Sequence, residues 1–428
     1  LEKKEGRKQL IVEVGAMSNN LTNGFRTMRD IDFKGKRVLV RCDFNSPLNA
    51  NGEPIEFMRI RVYKPTFAAL KDAAKVVAIS HQGRKGQEDC VSLRHHAHIL
   101  AQTLETQKVV FCEDLIGPKA LKAIDDLKQG EVLVLENTRF LDEDNENMEP
   151  KKGAQTTLVK TLAPKFDVFI NDAFSVSHRS QPSVTGFPVV LPSCAGMVLE
   201  KEMDAMYRAV EKGRRPSVYV VGGSKLKEVV KVVENTLRMN TVDKILVGGA
   251  VAHAFLYVRG LVPKEACAAI SEKGEELDKL IEKIKKIEAV FKDRIELPID
   301  IAISYGGREE VLVTDKRLGK YPPMDIGSRT ISVYTDEILR ARAVLSKGPM
   351  GMYENPAFLK GTVRILSAME RSKAYSLIGG GHMGNIAFDL GTAVDHISTA
   401  GGAVLAFMSG EELPGIEILK ENAKKFPS

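Results

Sequence analysis

Short apolar runs alternate with helical patterns along nearly the whole chain. RVLVRCDF, KVVAIS, KVVFC, EVLVLEN and FDVFIND have the near-continuous apolar character of strands buried on both faces. FAALKDAA, LRHHAHILAQTLE and TTLVKTLAPK lie between them with helical spacing. The alternation predicts an α/β fold, a parallel sheet with helices on both faces. It pauses at SVTGFPVVLPSCAG, rich in Pro and Gly, and at a charged helix, GMVLEKEMDAMYRAVEK. A second series follows: SVYVVGG, KILVGG, IELPIDIAIS, ARAVLSKGPM, AYSLIGGG and DHISTAGG. The boundary therefore falls near residues 190–212, and 428 residues are too many for one ordinary core. The halves look alike in architecture, yet no sequence repeat links them.

The halves differ in chemistry. The first closes its apolar runs in cations: His81 and Arg84 after VVAIS, Arg139 after VLVLENT, His178 and Arg179 after FDVFINDAFSVS. Arg59 follows Asp43 and Asn45 in the same half. Ligands of α/β sheets bind outside the carboxyl ends of the strands, so these cations are expected on one rim. Such a rim suits a small anion carrying phosphate and carboxylate, and Asp43 and Asn45 would accept from a substrate hydroxyl. The second half closes its strands in glycine: Gly222–Gly223, Gly248–Gly249, Gly348–Pro349–Met350–Gly351, Gly379–Gly380–Gly381 and Gly401–Gly402. Glycine lets backbone approach closely and exposes N–H groups, which suits nucleotide phosphates and a flat base.

Composition narrows the classes. A net charge of +6 spread over 62 basic and 56 acidic residues, without a like-charge block, argues against nucleic-acid binding. Five scattered cysteines with no CxxC pair fit reduced thiols, hence a cytoplasmic location. The longest apolar stretch, about 245–258, is short for a membrane span, and no secretory signal is visible. Residue 1 is Leu and Met17 is a natural start, so residues 1–16 are expected to be an extension.

Other motifs carry less. In GGSKLKEVVKVVENTL, Lys225 opens a helix and would act as a point charge on phosphate, though a solvated lysine reads as readily. GGGHMG matches GxGxxG, with Asp395 as a would-be ribose acid, but too little chain follows to complete a dinucleotide fold. No GxxxxGK[ST] occurs, so a P-loop is excluded. His95, His96 and His98 lack a completing Cys or carboxylate for a metal site; the metal ligands are left unknown. His253 reads as a core residue and His396 as structural.

KRVLVRCDFNSPL, SHQGR, GEVLVLENTRF, NDAFSVSHR, VVGGSKL, ILVGGAVAHAFL, KGPMGMYE and HISTAGGA occur in the order found in phosphoglycerate kinases. The chain resembles that family from about residue 35 onward, and its archaeal branch in particular. The resemblance implies two Rossmann-like lobes with six-stranded parallel sheets, joined by a hinge helix. It implies phosphoryl transfer between ATP and 3-phosphoglycerate, giving ADP and 1,3-bisphosphoglycerate, with Mg2+ carried by the nucleotide. Asp43, Asn45, Arg59, His81, Arg84, Arg139 and Arg179 would form the triose site. Gly222, Gly223, Lys225, Gly248, Gly249, Pro349, Glu354, Gly379, Gly380, Gly381 and His382 would form the nucleotide site, with Glu354 near the ribose. Three positions depart from the family pattern: Val229 stands where a second loop lysine is usual, His382 where Asp is usual, and Lys347 where Asn is usual. Lys227 or Lys231 would be the candidates to replace the lysine.

The expected domains are an extension at 1–30, a triose-binding domain at 31–195, an interdomain helix at 196–212, a nucleotide domain at 213–400 and a returning segment at 401–428. Hinges are expected near 190–212 and 397–405. The acceptor carboxylate is already ionised, so no general base is needed, and Arg59 and Lys225 would neutralise the moving phosphoryl. A monomer is expected, with a homodimer as the alternative. The rival readings are a nicotinamide-dependent oxidoreductase built on GGGHMG and a non-catalytic anion-binding scaffold.

Overall fold

A computed structural model of the protein describes residues 24–210 and 212–427. The expectation for residues 1–16 lies outside the described residues. The chain divides into two compact units, one of Asn19–Asp204 with Glu412–Ser428, the other containing Ala205–Glu411.

The amino-terminal unit is built on a six-stranded sheet in the order β3-β4-β2-β1-β5-β6, with every pairing parallel. The strands are β1 Arg37–Arg41, β2 Lys75–Ile79, β3 Val109–Phe111, β4 Val132–Val134, β5 Val168–Asn171 and β6 Ser193–Ala195. Side chains alternate across a strand, so each apolar run feeds two cores. Val38, Val40, Val76, Ala78 and Ile170 face one core with Phe67 and Leu100 from helices Lys64–Ala69 and Arg94–Leu104. Leu39, Val77, Ile79, Leu133 and Phe169 face the other with Ile124 and Leu158 from helices Pro118–Asp126 and Thr157–Leu162. Strand β6 completes the six strands that the resemblance implied, but no apolar run marked its place. It lies in the Pro-rich pause, is three residues long, and is joined at the sheet edge by a bridge between Thr27 and Ala195. Residues 25–28 of the expected extension thus belong to the unit's packing, with Phe25 and Met28 buried.

The carboxyl unit has a second parallel six-stranded sheet, in the order β15-β14-β13-β7-β8-β9. Its strands are β7 Ser217–Val221, β8 Lys244–Val247, β9 Ile295–Glu296, β13 Ala343–Lys347, β14 Tyr375–Gly379 and β15 His396–Ser398. A separate antiparallel sheet of β10 Asp300–Ser304, β11 Arg308–Leu312 and β12 Pro323–Ile326 was not expected. The run IELPIDIAIS reads as one strand, but Pro298 has no N–H to give a ladder, and the chain changes sheet there.

Helix Met197–Val210 carries the chain from one unit into the other. Its first amides, Val198 and Leu199, donate to the buried Asp172 carboxylate at 2.8 and 3.0 Å. The segment expected to return at 401–428 divides in two. Gly401–Met408 stays in the carboxyl unit, where Phe407 meets Tyr207 edge to face. Helix Pro414–Lys425 packs on the amino-terminal unit. There Asn422 donates to Pro188 O (2.6 Å) and Leu191 O (2.7 Å), and accepts from Ser193 N (2.8 Å) and Arg26 (2.9 Å).

Candidate active site

In the amino-terminal unit two of the predicted cations, Arg59 and His81, meet at one carboxylate. Asp43, two residues past β1, accepts from Arg59 NH1 at 3.3 Å and from the Ser175 hydroxyl, and its own N–H donates to Tyr63 OH at 2.7 Å. Arg59 was grouped with the strand ends; it instead sits in a helical turn, Met58–Arg61, where its side chain is a quarter exposed. Asn45 accepts from the Gly83 N–H at 2.8 Å, which ties the β1 loop to the β2 loop. Arg84 is anchored by its backbone N–H on Asp89 (3.1 Å) while the residue stays exposed.

The centre of the cluster is a residue not selected from the sequence. Arg41 closes β1, is fully buried, and donates to Ser183 Oγ (3.1 Å), to Cys42 O and to His81 Nδ1 (3.2 Å). The signal was present: an arginine ends an otherwise apolar run and must find partners inside. A guanidinium only donates, so Nδ1 of His81 accepts and the ring proton sits on Nε2. Burial pushes His81 well below its ordinary pKa against the pull of Asp43, and Arg41, Arg139 and Arg179 push the same way. Burial pushes the Asp43 carboxyl up, but His81, Arg59, Ser175 and Arg41 outweigh it and hold the group below its ordinary range. The imidazole is neutral near neutral pH, so the arginines rather than His81 balance Asp43 there.

Arg139 and Arg179 complete the cluster. Arg139 lies in a 3-10 turn after β4 and donates to Asp144 O (2.9 Å) and Gln181 Oε1 (3.3 Å). Its Nε is buried with no hydrogen-bond partner. Burial pushes its pKa down to about 10, Asp144 pulls it back, and Arg179 and Arg41 push it further down. Arg179 is lowered by burial and then by Arg84, against Asp43. Mutual repulsion of this kind marks positive charges held close together.

In the carboxyl unit the glycine turns wall a cleft of about 270 Å³, with Gly223, Gly249, Pro349, Met350, Tyr353, Glu354 and His382 among its lining. The glycines there act differently from expectation. The N–H groups of Gly222, Gly223, Gly248 and Gly249 donate to Lys347 O, Pro349 O, Val221 O and Met350 O at 2.8–2.9 Å, so none is left for a phosphate. Three strand-end loops instead lock together: a Cβ on Gly222 would stand 2.3 Å from Pro349 O, and one on Gly249, at φ +61°, 2.4 Å from Gly223 N. A Cβ on Gly380 would meet Ser398 O at 2.7 Å, while Gly381, at φ +70°, caps helix His382–Asp389. Gly379 ends β14.

Lys225 precedes helix Leu226–Arg238, exposed, with Nζ 3.6 Å from Glu228. The start of that helix is already occupied: Leu226 and Lys227 amides donate to Glu272 at 2.9 and 2.8 Å. His382 packs its ring on Tyr353, centroids 4.7 Å apart. His253 lines the cleft rather than lying purely in the core; it is buried, its Nδ1 has no hydrogen-bond partner, and burial lowers its pKa to about 4. Asp395 accepts from Ser376 N and Oγ at 2.8 and 2.9 Å, at the amino end of β14, away from the glycines that end it. It is placed for no ribose, which removes the nicotinamide reading. Among the described residues no group of three His, Cys, Asp or Glu is arranged to hold a metal ion, and no helix is long and apolar enough to cross a membrane.

Two α/β units, one with clustered cations and one with a glycine-walled cleft, are the layout of a two-domain kinase. The phosphoglycerate kinase family model matches residues 28–411. The phosphoglycerate kinase of Methanothermus fervidus is 37% identical over 406 residues, 94% of this chain and 98% of that protein. That of Pyrococcus furiosus is 39% identical over 406 residues, 93% and 98% respectively. Among solved structures, phosphoglycerate kinase from Pyrococcus horikoshii OT3 superposes with a TM-score of 0.85 at 37% identity, covering 94% of this chain and 100% of that one. The Coxiella burnetii enzyme gives 0.76 at 30% identity, covering 93% and 100%. The chain belongs to the phosphoglycerate kinase family.

Proposed function

We propose that this enzyme transfers a phosphoryl group reversibly between ATP and the carboxylate of 3-phosphoglycerate, as the family does. A carboxylate oxygen attacks the terminal phosphorus. The bond from that phosphorus to the bridging oxygen breaks, and its electron pair leaves with ADP. No proton moves, so no general base is required. The rim of Arg41, His81, Arg84, Arg139 and Arg179 would hold the phosphate of the triose, with the Nε2–H of His81 as a neutral donor. Asp43 and Asn45 would face the hydroxyl. Arg59 would neutralise the phosphoryl in transfer from the triose side and Lys225 from the nucleotide side. The cleft of Gly223, Gly249, Pro349, Glu354 and His382 would take the nucleotide.

The amino-terminal unit is thus the triose domain and the carboxyl unit the nucleotide domain. Each substrate has its own domain, so turnover demands that both be bound to one chain. Among the described residues no magnesium site is formed, since His382 is a poor ligand for a hard cation and Glu228 is held by lysines. Magnesium would enter as the ATP complex, on the phosphates. A cytoplasmic location fits the scattered free thiols. The observation that carries the reading is the meeting of buried Arg41 and His81 with Asp43 and Arg59 at the strand ends of the amino-terminal unit. A coupled assay of ADP formation tests it: 3-phosphoglycerate should be required, and turnover on ATP without it, or none with it, would overturn the assignment.

A further inference from the structure

The nucleotide side as read so far offers one exposed cation, Lys225, and a transferring phosphoryl carries charge on three oxygens. The other lysines of the same helix are engaged elsewhere: Lys227 Nζ lies 2.9 Å from Glu276 and Lys231 Nζ 2.7 Å from Glu411. Both are exposed and pair with carboxylates other than Glu228, and Val229 itself is buried in the helix packing. A different lysine reaches the place from the neighbouring strand. Lys347 ends β13, in register with Val221 of β7, and its Nζ lies 3.1 Å from Glu228 Oε2. Lys225 lies 3.6 Å from Glu228 Oε1, so two ammonium groups share one carboxylate.

The surroundings set Lys347 apart from a surface ion pair. Its side chain is only 21% exposed, whereas that of Lys225 is 72% exposed. Burial lowers its pKa, Glu228 pulls it back up and Lys225 pushes it down. A buried ammonium with half a carboxylate is poorly compensated unless a further anion completes the site. The next residues, Gly348 and Pro349, lead straight to the cleft, where Pro349 is part of the wall and accepts from Gly223 N.

Resting on the kinase reading above, we propose that Lys347 is a second phosphate-facing cation of the nucleotide domain. It acts with Lys225 on the terminal phosphates and on the phosphoryl in transfer, and Glu228 holds both lysines in place between turnovers.

The test compares Lys347→Met, Lys347→Arg, Glu228→Gln and the double variant Lys347→Met with Glu228→Gln. Lys347→Met should lower kcat by at least about 30-fold, on the scale of one lost charge-assisted donor. By calorimetry it should weaken ATP binding and leave AMP binding unchanged. Lys347→Arg should recover part of the rate. The double variant is decisive if the single one folds poorly, because it leaves no unpaired carboxylate. If Lys347 serves only to neutralise Glu228, the double variant recovers wild-type turnover, and the proposal fails. It fails equally if Lys347→Met keeps kcat within about threefold of wild type. A wild-type protein without turnover would instead overturn the kinase reading, a separable result.

Discussion

Arg41 donates to Nδ1 of His81 across 3.2 Å, and both side chains are buried beside the carboxylate of Asp43. The same nitrogen lies 3.5 Å from Asp43 Oδ1, so two groups compete to set the tautomer. With Arg41 present, Nδ1 accepts and Nε2 carries the proton. Without it, Asp43 would draw the proton to Nδ1 and leave Nε2 as a lone pair. Arg41→Met should therefore raise KM for 3-phosphoglycerate more than it lowers kcat, with a loss of about 10- to 100-fold in kcat/KM. Steady-state kinetics measure this, and nitrogen-15 spectra of His81 report the tautomer directly. An unchanged tautomer would show that Arg41 does not set it.

Three histidines are buried with pKa values pushed down by burial: His81 well below its ordinary value, His96 and His253 to about 4. The unfolded chain takes up protons below about pH 6.5 that the native chain does not. Full stability is therefore present above that pH and is lost as pH falls toward the native values. Each histidine contributes at most about 1.4 kcal/mol per pH unit in that window. His81→Gln should flatten the slope by about one such share, measured by urea melts between pH 7.5 and 5.

Arg59 and Lys225 should both act mainly on kcat, because their charge is needed most when the phosphoryl is in transit. Alanine at either is expected to cost about 3 kcal/mol of transition-state stabilisation. Arg179→Ala should act chiefly on KM for 3-phosphoglycerate. Near-normal turnover in Arg59→Ala would confine Arg59 to its contact with Asp43.

Gly249 combines a left-handed φ of +61° with a Cβ position 2.4 Å from Gly223 N. Gly249→Ala must strain the turn and push two strand-end loops apart. Its melting temperature should drop by several degrees, for a loss of at least about 2 kcal/mol. Nucleotide affinity should fall with it in an ADP titration, while the triose site keeps its affinity.

The two parallel sheets were legible because each apolar run is buried on both faces and so stays apolar throughout. The antiparallel sheet was not. REEVL is polar along most of its length and Pro323 opens the strand on the other side of β10, so neither run looks like a strand. At the site, residues at loop ends stood out by charge, as with Arg84 and Arg139. Arg41 carried the same signal but was passed over, because it sits inside the run RVLVRCDF rather than beyond it. Lys347 stood out only as a departure in a motif; its meaning came from Glu228, 119 positions earlier in the sequence. Gly222, Gly223, Gly248 and Gly249 were read for exposed amides, but three loops use those amides on one another.

Helix Pro414–Lys425 buries Ile416, Ile418 and Leu419 against a unit whose strands all precede residue 196, and Asn422 holds the loop before β6 and β6 itself. Synthesis therefore runs out of order with assembly. The unit begun first is finished second, after the whole of Ala205–Glu411 has left the ribosome. Until then Val184, against which Gly415 of that helix packs, stays uncovered, a place at which chaperones can act and a stalled or truncated product would betray itself by aggregation.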